Sequence, residues 1–360
     1  MNLLDRLLGR RASARTLAEG DAGVVTRDDP AAPSVRGAAG NRSRSRGSGQ
    51  FQSPASRERA RTAFPTVPAD VLRQVRLVEL RTRRLVNSVF AGEYRSVFKG
   101  QGMEFAEVRE YQQGDEVRTI DWNVTARMGR PFVKRYVEER ELTVMLVVDL
   151  SGSDRFGTVR RFKSEVAAEL AAVLAMSAVG NNDRVGLLLF TDQVEHVVPP
   201  RKGRRHALRL LRDLMVYDPI RRGTDVAGAA EYLGRMLTHH AIIFILSDFQ
   251  DEGLERPLKH LAQRHDVIAV TLTDPAEESL PNIGLARFRD PESGVLVDVD
   301  TSDGRLRRAY SERVGAEAAD RRQLLRRLAI DEISVSTDTG YLEPLLRFFR
   351  TRQARVERHR

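Results

Sequence analysis

The chain alternates two hydrophobic rhythms from residue 141 almost to its end. Unbroken apolar runs stand in "ELTVMLVVDL", "DRVGLLLFT", "HAIIFILSDF" and "DVIAVTLTD". They are short and apolar throughout, which predicts strands buried on both faces of a sheet. Between them, "RFKSEVAAELAAVLAMSAVG", closed by Gly180, "RRHALRLLRDLMV", "TDVAGAAEYLGRML" and "GLERPLKHLAQR" carry apolar residues at helical spacing. "QVEHVVPP" predicts a short antiparallel edge strand, and "ADRRQLLRRLAI", "DEISVSTD" and "LEPLLRFFRTR" predict helix, strand, helix. Strands alternating with helices of this length imply right-handed crossovers, hence an α/β fold with a doubly wound, mostly parallel sheet and helices on both faces. Residues 283–300, "IGLARFRDPESGVLVDVD", alternate with period two around "PESG" and predict a hairpin.

Upstream the rhythm changes. "VLRQVRLVELRTRRLV" from Val71 predicts one amphipathic helix, and residues 91–136 are polar and punctuated by glycine. Residues 11–65 are Arg, Ser, Gly, Ala and Pro without apolar periodicity, a composition that cannot bury enough surface to order itself. The expected organisation is a tail over 1–65, a helix and charged segment over 66–142, the main domain over 143–351 and a basic end over 352–360.

Composition modifies this picture in two ways. The 360 residues include no Cys, which excludes disulfides and thiolate chemistry and fits a reducing compartment, so the expected location is cytoplasmic. "MNLLDRLLGR" places Asp5, Arg6 and Arg10 within what would be a signal peptide's apolar core, and no apolar run reaches the roughly 18 residues of a membrane span. Leu3, Leu4, Leu7 and Leu8 share a helical face, but a frayed terminus is the expectation. The net charge of +9 suggests nucleic acid until it is located: residues 1–65 hold +6 and residues 347–360 hold +5, leaving −2 for residues 66–346. The body is not basic. Nucleic-acid binding survives only as an alternative for the Arg-rich tail.

The candidate chemistry sits where buried strands end. Asp149 closes the first strand of the main domain and is followed by Ser151 and Ser153; Asp248 closes "FILSDF"; Thr224 precedes the helix leading to that strand. In an open α/β sheet these positions reach the carboxyl edge, where ligands bind. Two carboxylates and three hydroxyls offer only oxygen and suit a hard cation, Mg²⁺ with Mn²⁺ as second choice. The alternative is that Ser151 and Ser153 cap the following helix while Asp149 accepts backbone donors. No nucleophile elbow surrounds either serine and no phosphate-binding G-x-x-x-x-G-K-[ST] loop is present, so catalysis is not expected. A Mg²⁺-dependent hydrolase using Asp149 is kept as an alternative.

Asp149, Ser151, Ser153, Thr224 and Asp248, in the order D-x-S-x-S, T, D, resemble the metal-ion-dependent adhesion site of von Willebrand factor A domains. The resemblance implies a doubly wound sheet that binds partners through a divalent cation whose open position accepts an acidic side chain.

The segment "GQGMEFAEVREYQQGDEVRTIDWNVTARMGRPFVKRYVEERE" gathers Glu104, Arg109, Asp115, Arg118, Asp121, Trp122 and Arg127 around the single Trp. Either it is a partner-binding surface or, the expectation, a salt-bridged collar that buries Trp122 and seats a small layer on the sheet. The segment is similar to the signature G-x-E-F-x-x-x-R-x-Y-x-x-G-D-x-x-R-x-I-D-W of the bacterial domain-of-unknown-function family 58. Members of that family carry the adhesion-type domain and accompany MoxR-type AAA+ ATPases, which implies an adaptor in protein assembly or maturation, with a co-encoded ATPase as partner.

Overall fold

The computed structural model describes residues 69–86, 93, 94, 97, 98, 104–137, 141–155, 161–290 and 294–358; the Arg-rich residues 1–65 lie outside them. In chain order the elements are α1 (Ala69–Leu85), β1 (Glu104–Glu110), α2 (Trp122–Met128), β2 (Phe132–Val137), β3 (Thr143–Asp149), α3 (Lys163–Gly180), β4 (Arg184–Phe190), β5 (Val194–Arg201), α4 (Arg204–Val216), α5 (Val226–Met236), β6 (Ile242–Ser247), α6 (Glu255–Ala262), β7 (Asp266–Thr273), α7 (Pro275–Glu278), β8 (Leu285–Arg289), β9 (Leu296–Asp300), α8 (Gly304–Arg327), β10 (Asp331–Ser336) and α9 (Leu342–Arg358).

Six strands form one sheet in the order β10-β7-β6-β3-β4-β5, parallel throughout except for β4 with β5. The unbroken apolar runs are explained by the pleat, which sends successive side chains to opposite faces. Val144, Leu146 and Val148 of β3 join Phe244 of β6 and the helices α3 and α9 on one side. Met145 and Val147 join Ile243 and Ile245 and the helices α5 and α6 on the other. Both faces are dry, so both sets must be apolar. β5 is the edge that "VVPP" required: Pro199 and Pro200 lack the N–H that an interior strand must donate.

Gly186 in β4 is crowded from both neighbouring strands, β3 and β5. A Cβ there would collide with the Met145 sulfur and crowd the Val198 carbonyl of β5 and the Pro200 ring. α1 packs on α3 and α4 through Val75, Ala172 and Leu211, so the N-terminal helix is part of the main body. α8 begins at Gly304, well before the apolar positions that predicted it.

The chain leaves β3 toward β4 and β5, then returns to lay β6 on the other side of β3 and continues through β7 to β10. The carboxyl ends of β3 and β6 therefore flank the reversal of winding, where such sheets open a crevice.

The charged segment is an antiparallel ribbon, β1 with β2, its register running from Glu104 opposite Val137 to Glu110 opposite Phe132. The connection between its strands carries α2. The expected collar fails at its centre, because Trp122 is 66% exposed and Val117 and Met128 beside it in sequence are similarly open. Trp122 is the first residue of α2, whose short length leaves no opposite wall to cover it.

Candidate metal centre

Asp149, the last residue of β3, has no exposure to solvent. A buried carboxylate needs donors, and two elements supply them. Ser151 N–H donates to Oδ1 at 2.9 Å, and Ser247 Oγ, at the end of β6, donates to Oδ2 at 2.7 Å. The next turn bends back so that the Ser151 and Ser153 hydroxyls lie 2.9 Å apart, both buried. The alternative reading of Asp149 as an acceptor of backbone donors therefore holds in part, through the Ser151 N–H.

Asp248 follows β6 and is buried 3% exposed. Its Oδ1 accepts the Gln250 N–H at 3.3 Å, while Oδ2 accepts no hydrogen bond among the described residues. The chain turns sharply after it: Phe249 adopts a positive φ of 53°, a conformation bulky residues avoid, and its N–H returns to Ser247 Oγ at 3.1 Å. Burial first, then the charge of Asp248, pushes the Asp149 carboxyl above the ordinary carboxylate range, against the pull of Ser247 and Ser151. The two carboxylates are thus electrostatic neighbours.

Thr224 is half-buried on the loop entering α5. That loop is drawn to the crevice by Gly152 N–H donating to Arg222 O at 2.8 Å and by Asp225 N–H donating to Thr191 O at 2.8 Å. Asp149, Ser151, Ser153 and Asp248 are linked by bonds or charge; Thr224 is brought to the same edge by its loop.

Three further groups escaped the sequence. Ser247 directly precedes Asp248, and its position at a strand end was a usable signal. Lys163, the first residue of α3, and Glu277 of α7 gave none, because their significance is mutual. Lys163 Nζ lies 2.6 Å from Glu277 Oε2 and 3.6 Å from Asp248 Oδ2, with no part of the lysine side chain exposed. Among the described residues no three His, Asp or Glu side chains gather as a metal-binding group, so a cation here would rest on two carboxylates and hydroxyl oxygens.

The signature residues divide by role. The Arg109 guanidinium grips Asp115 with two bonds of 2.8 and 2.7 Å, which with the Gln112 N–H holds the Asp115 carboxyl below its usual range. Asp121 caps α2 by accepting from Asn123 and Val124, and Gly129 ends it in the left-handed conformation. Arg118, Trp122 and Arg127 instead stand in solvent. Glu104 pairs through its backbone.

A family model described as "Protein of unknown function DUF58" matches residues 107–320. An uncharacterized protein of Mycobacterium tuberculosis is 33% identical over 282 residues, covering 78% of this chain and 89% of that protein. Among solved structures, an aerotolerance-related membrane protein from Bacteroides fragilis is similar over 59% of this chain and 99% of its own, at 16% identity and a TM-score of 0.41. An uncharacterized membrane spanning protein from Vibrio fischeri is similar over 60% of this chain and 98% of its own, at 16% identity and a TM-score of 0.23. The cytoplasmic expectation is corrected here: these neighbours are membrane proteins by name, and that placement is withdrawn. No helix among the described residues is long and apolar enough to cross a membrane.

Proposed function

We propose, from the premise that this chain belongs to the DUF58 family, that it is a protein-binding adaptor whose contact runs through a divalent cation held between Asp149 and Asp248. The observation that carries this reading is the meeting of two buried carboxylates at the reversal of the sheet, where Ser247, bonded to Asp149 Oδ2 at 2.7 Å, directly precedes Asp248. Two carboxylates kept from water with one ammonium, Lys163, beside Asp248 leave negative charge that invites a further cation. The donor set fits a hard cation: every candidate ligand is oxygen, and Asp248 Oδ2 accepts no hydrogen bond among the described residues, Lys163 Nζ standing 3.6 Å away.

Asp149 and Asp248 would hold Mg²⁺ or Mn²⁺, with Ser151, Ser153 and Thr224 contributing hydroxyls directly or through water, in the manner of a von Willebrand factor A domain. Hydroxyl and water ligands add no charge, so the cation would keep an attraction for an acidic side chain of the partner. The proposed partner is a MoxR-type AAA+ ATPase encoded nearby, which would supply the work of protein assembly while this chain supplies recognition.

Calorimetry with Mg²⁺ and Mn²⁺ tests the centre. The wild type should bind and Asp149→Ala should not; equal binding by both ends the assignment. Pull-down of the ATPase tests the mechanism, since EDTA and Asp248→Ala should each weaken capture and together do no more than either alone. Full capture in the presence of EDTA would remove the cation from the contact.

A further inference from the structure

A metal-binding crevice has no evident use for a buried ammonium beside one of its carboxylates, yet Lys163 stands there with no exposure to solvent. We propose that Lys163 is an internal counter-cation that sets how tightly the Asp149–Asp248 crevice holds its divalent cation. The proposal rests on the metal-binding reading above.

The geometry makes Asp248 a shared residue. On one side it borders Asp149, whose carboxyl feels its charge; on the other its Oδ2 lies 3.6 Å from Lys163 Nζ. The ammonium is anchored away from the crevice by its shorter contact, 2.6 Å, to Glu277 of α7. Glu277 is fixed in turn, accepting the Asp274 N–H at 3.4 Å in the capping box that starts α7. The anchor therefore holds the buried positive charge on the Glu277 side and keeps it from collapsing onto Asp248. Arg321 reaches the same neighbourhood, donating to the Asp248 backbone carbonyl at 3.3 Å, but its charge is answered by Glu332 at 3.7 Å.

Counting formal charges, Asp248 and Glu277 face the Lys163 ammonium and Asp149 lies beyond Asp248, so the four groups together carry −2. A divalent cation neutralises them. Without Lys163 the cluster would carry −3, a divalent cation would be held more tightly, and the loaded site would remain negative toward any incoming carboxylate. Without the charge of Glu277 the cluster would carry only −1, and the released ammonium would be left to Asp248. Each unit of charge weighs heavily because Asp149, Asp248 and Lys163 are buried and Glu277 is half-buried, where the effective dielectric constant is below that of water.

Four full-chain proteins make a charge series: Glu277→Gln, wild type, the double variant Lys163→Met with Glu277→Gln, and Lys163→Met, at −1, −2, −2 and −3. Each is checked for folding by circular dichroism and titrated with Mn²⁺ by calorimetry. Lys163→Met should bind about tenfold or more tighter than wild type, the double variant close to wild type, and Glu277→Gln about tenfold or more weaker, the change expected for each unit of buried charge. A lysine that mattered only to folding would not raise affinity when removed. Should Lys163→Met fail to fold, Glu277→Gln and the double variant still differ only by the ammonium, and the double variant must bind tighter. Removal of the ammonium without a gain in affinity, while wild type binds, overturns the role of Lys163 and leaves the metal centre standing. Absence of binding in all four overturns both.

Discussion

A carboxylate at the end of a buried strand needs donors, and at Asp149 one of them comes from the neighbouring strand. Ser247 Oγ is that donor. Ser247→Ala should leave a buried acceptor unpaired and cost about 1–3 kcal/mol in denaturant unfolding; an unchanged midpoint would show that water replaces the hydroxyl. Asp149, Ser151, Ser153 and Asp248 were legible in the sequence because strand ends can be read from apolar runs. Lys163 and Glu277 were not, since a lysine that opens a helix looks solvated until its partner is known. His265 illustrates the same dependence on context. It is buried, and burial first, then the charges of Arg264 and His240, lowers its pKa to about 4. The sign follows from linkage: the folded state keeps the ring neutral below pH 6.5, where the unfolded chain takes up a proton, so stability is intact above about 6.5 and falls as pH drops toward 4. Unfolding midpoints measured across that window should fall more steeply for the wild type than for His265→Leu.

At the scale of elements, continuous apolar runs read correctly as β3, β4, β6 and β7, because a strand dry on both faces has no polar position to mislead. The ribbon of β1 and β2 was not legible. "EFAEVRE" alternates weakly, and its pairing is set by Gly114, Asp115 and the Arg109 grip, which hold the turn rather than a core. The early half of α8 was missed for a related reason: only Tyr310 and Leu325 are buried along 24 residues, so its helical stripe is faint. Gly186 marks the reverse case, a position whose meaning lies in neighbouring strands. Gly186→Ala should force Met145 or β5 to shift and cost about 1–3 kcal/mol, a loss visible as a lower thermal midpoint; full stability would mean that the close approach relaxes freely.

The molecule as a whole combines a sheet whose class was readable with a strand order that was not, because the hand of the crossovers is fixed but the side on which each new strand joins is not. That order is what brings Asp149 and Asp248 together. The single Trp of the 360 residues is exposed on the short helix of the ribbon. All indole light from the protein therefore originates there. Its emission should lie near that of free indole in water already in the native state, and heating should melt the sheet, as followed by circular dichroism, with little spectral displacement. Trp122→Ala should correspondingly shift stability by no more than about 0.5 kcal/mol. A blue native emission, or a large loss of stability, would mean that the ring is covered. With the ring open, the protein carries a built-in optical probe that is blind to its own unfolding and sensitive to whatever settles on the ribbon.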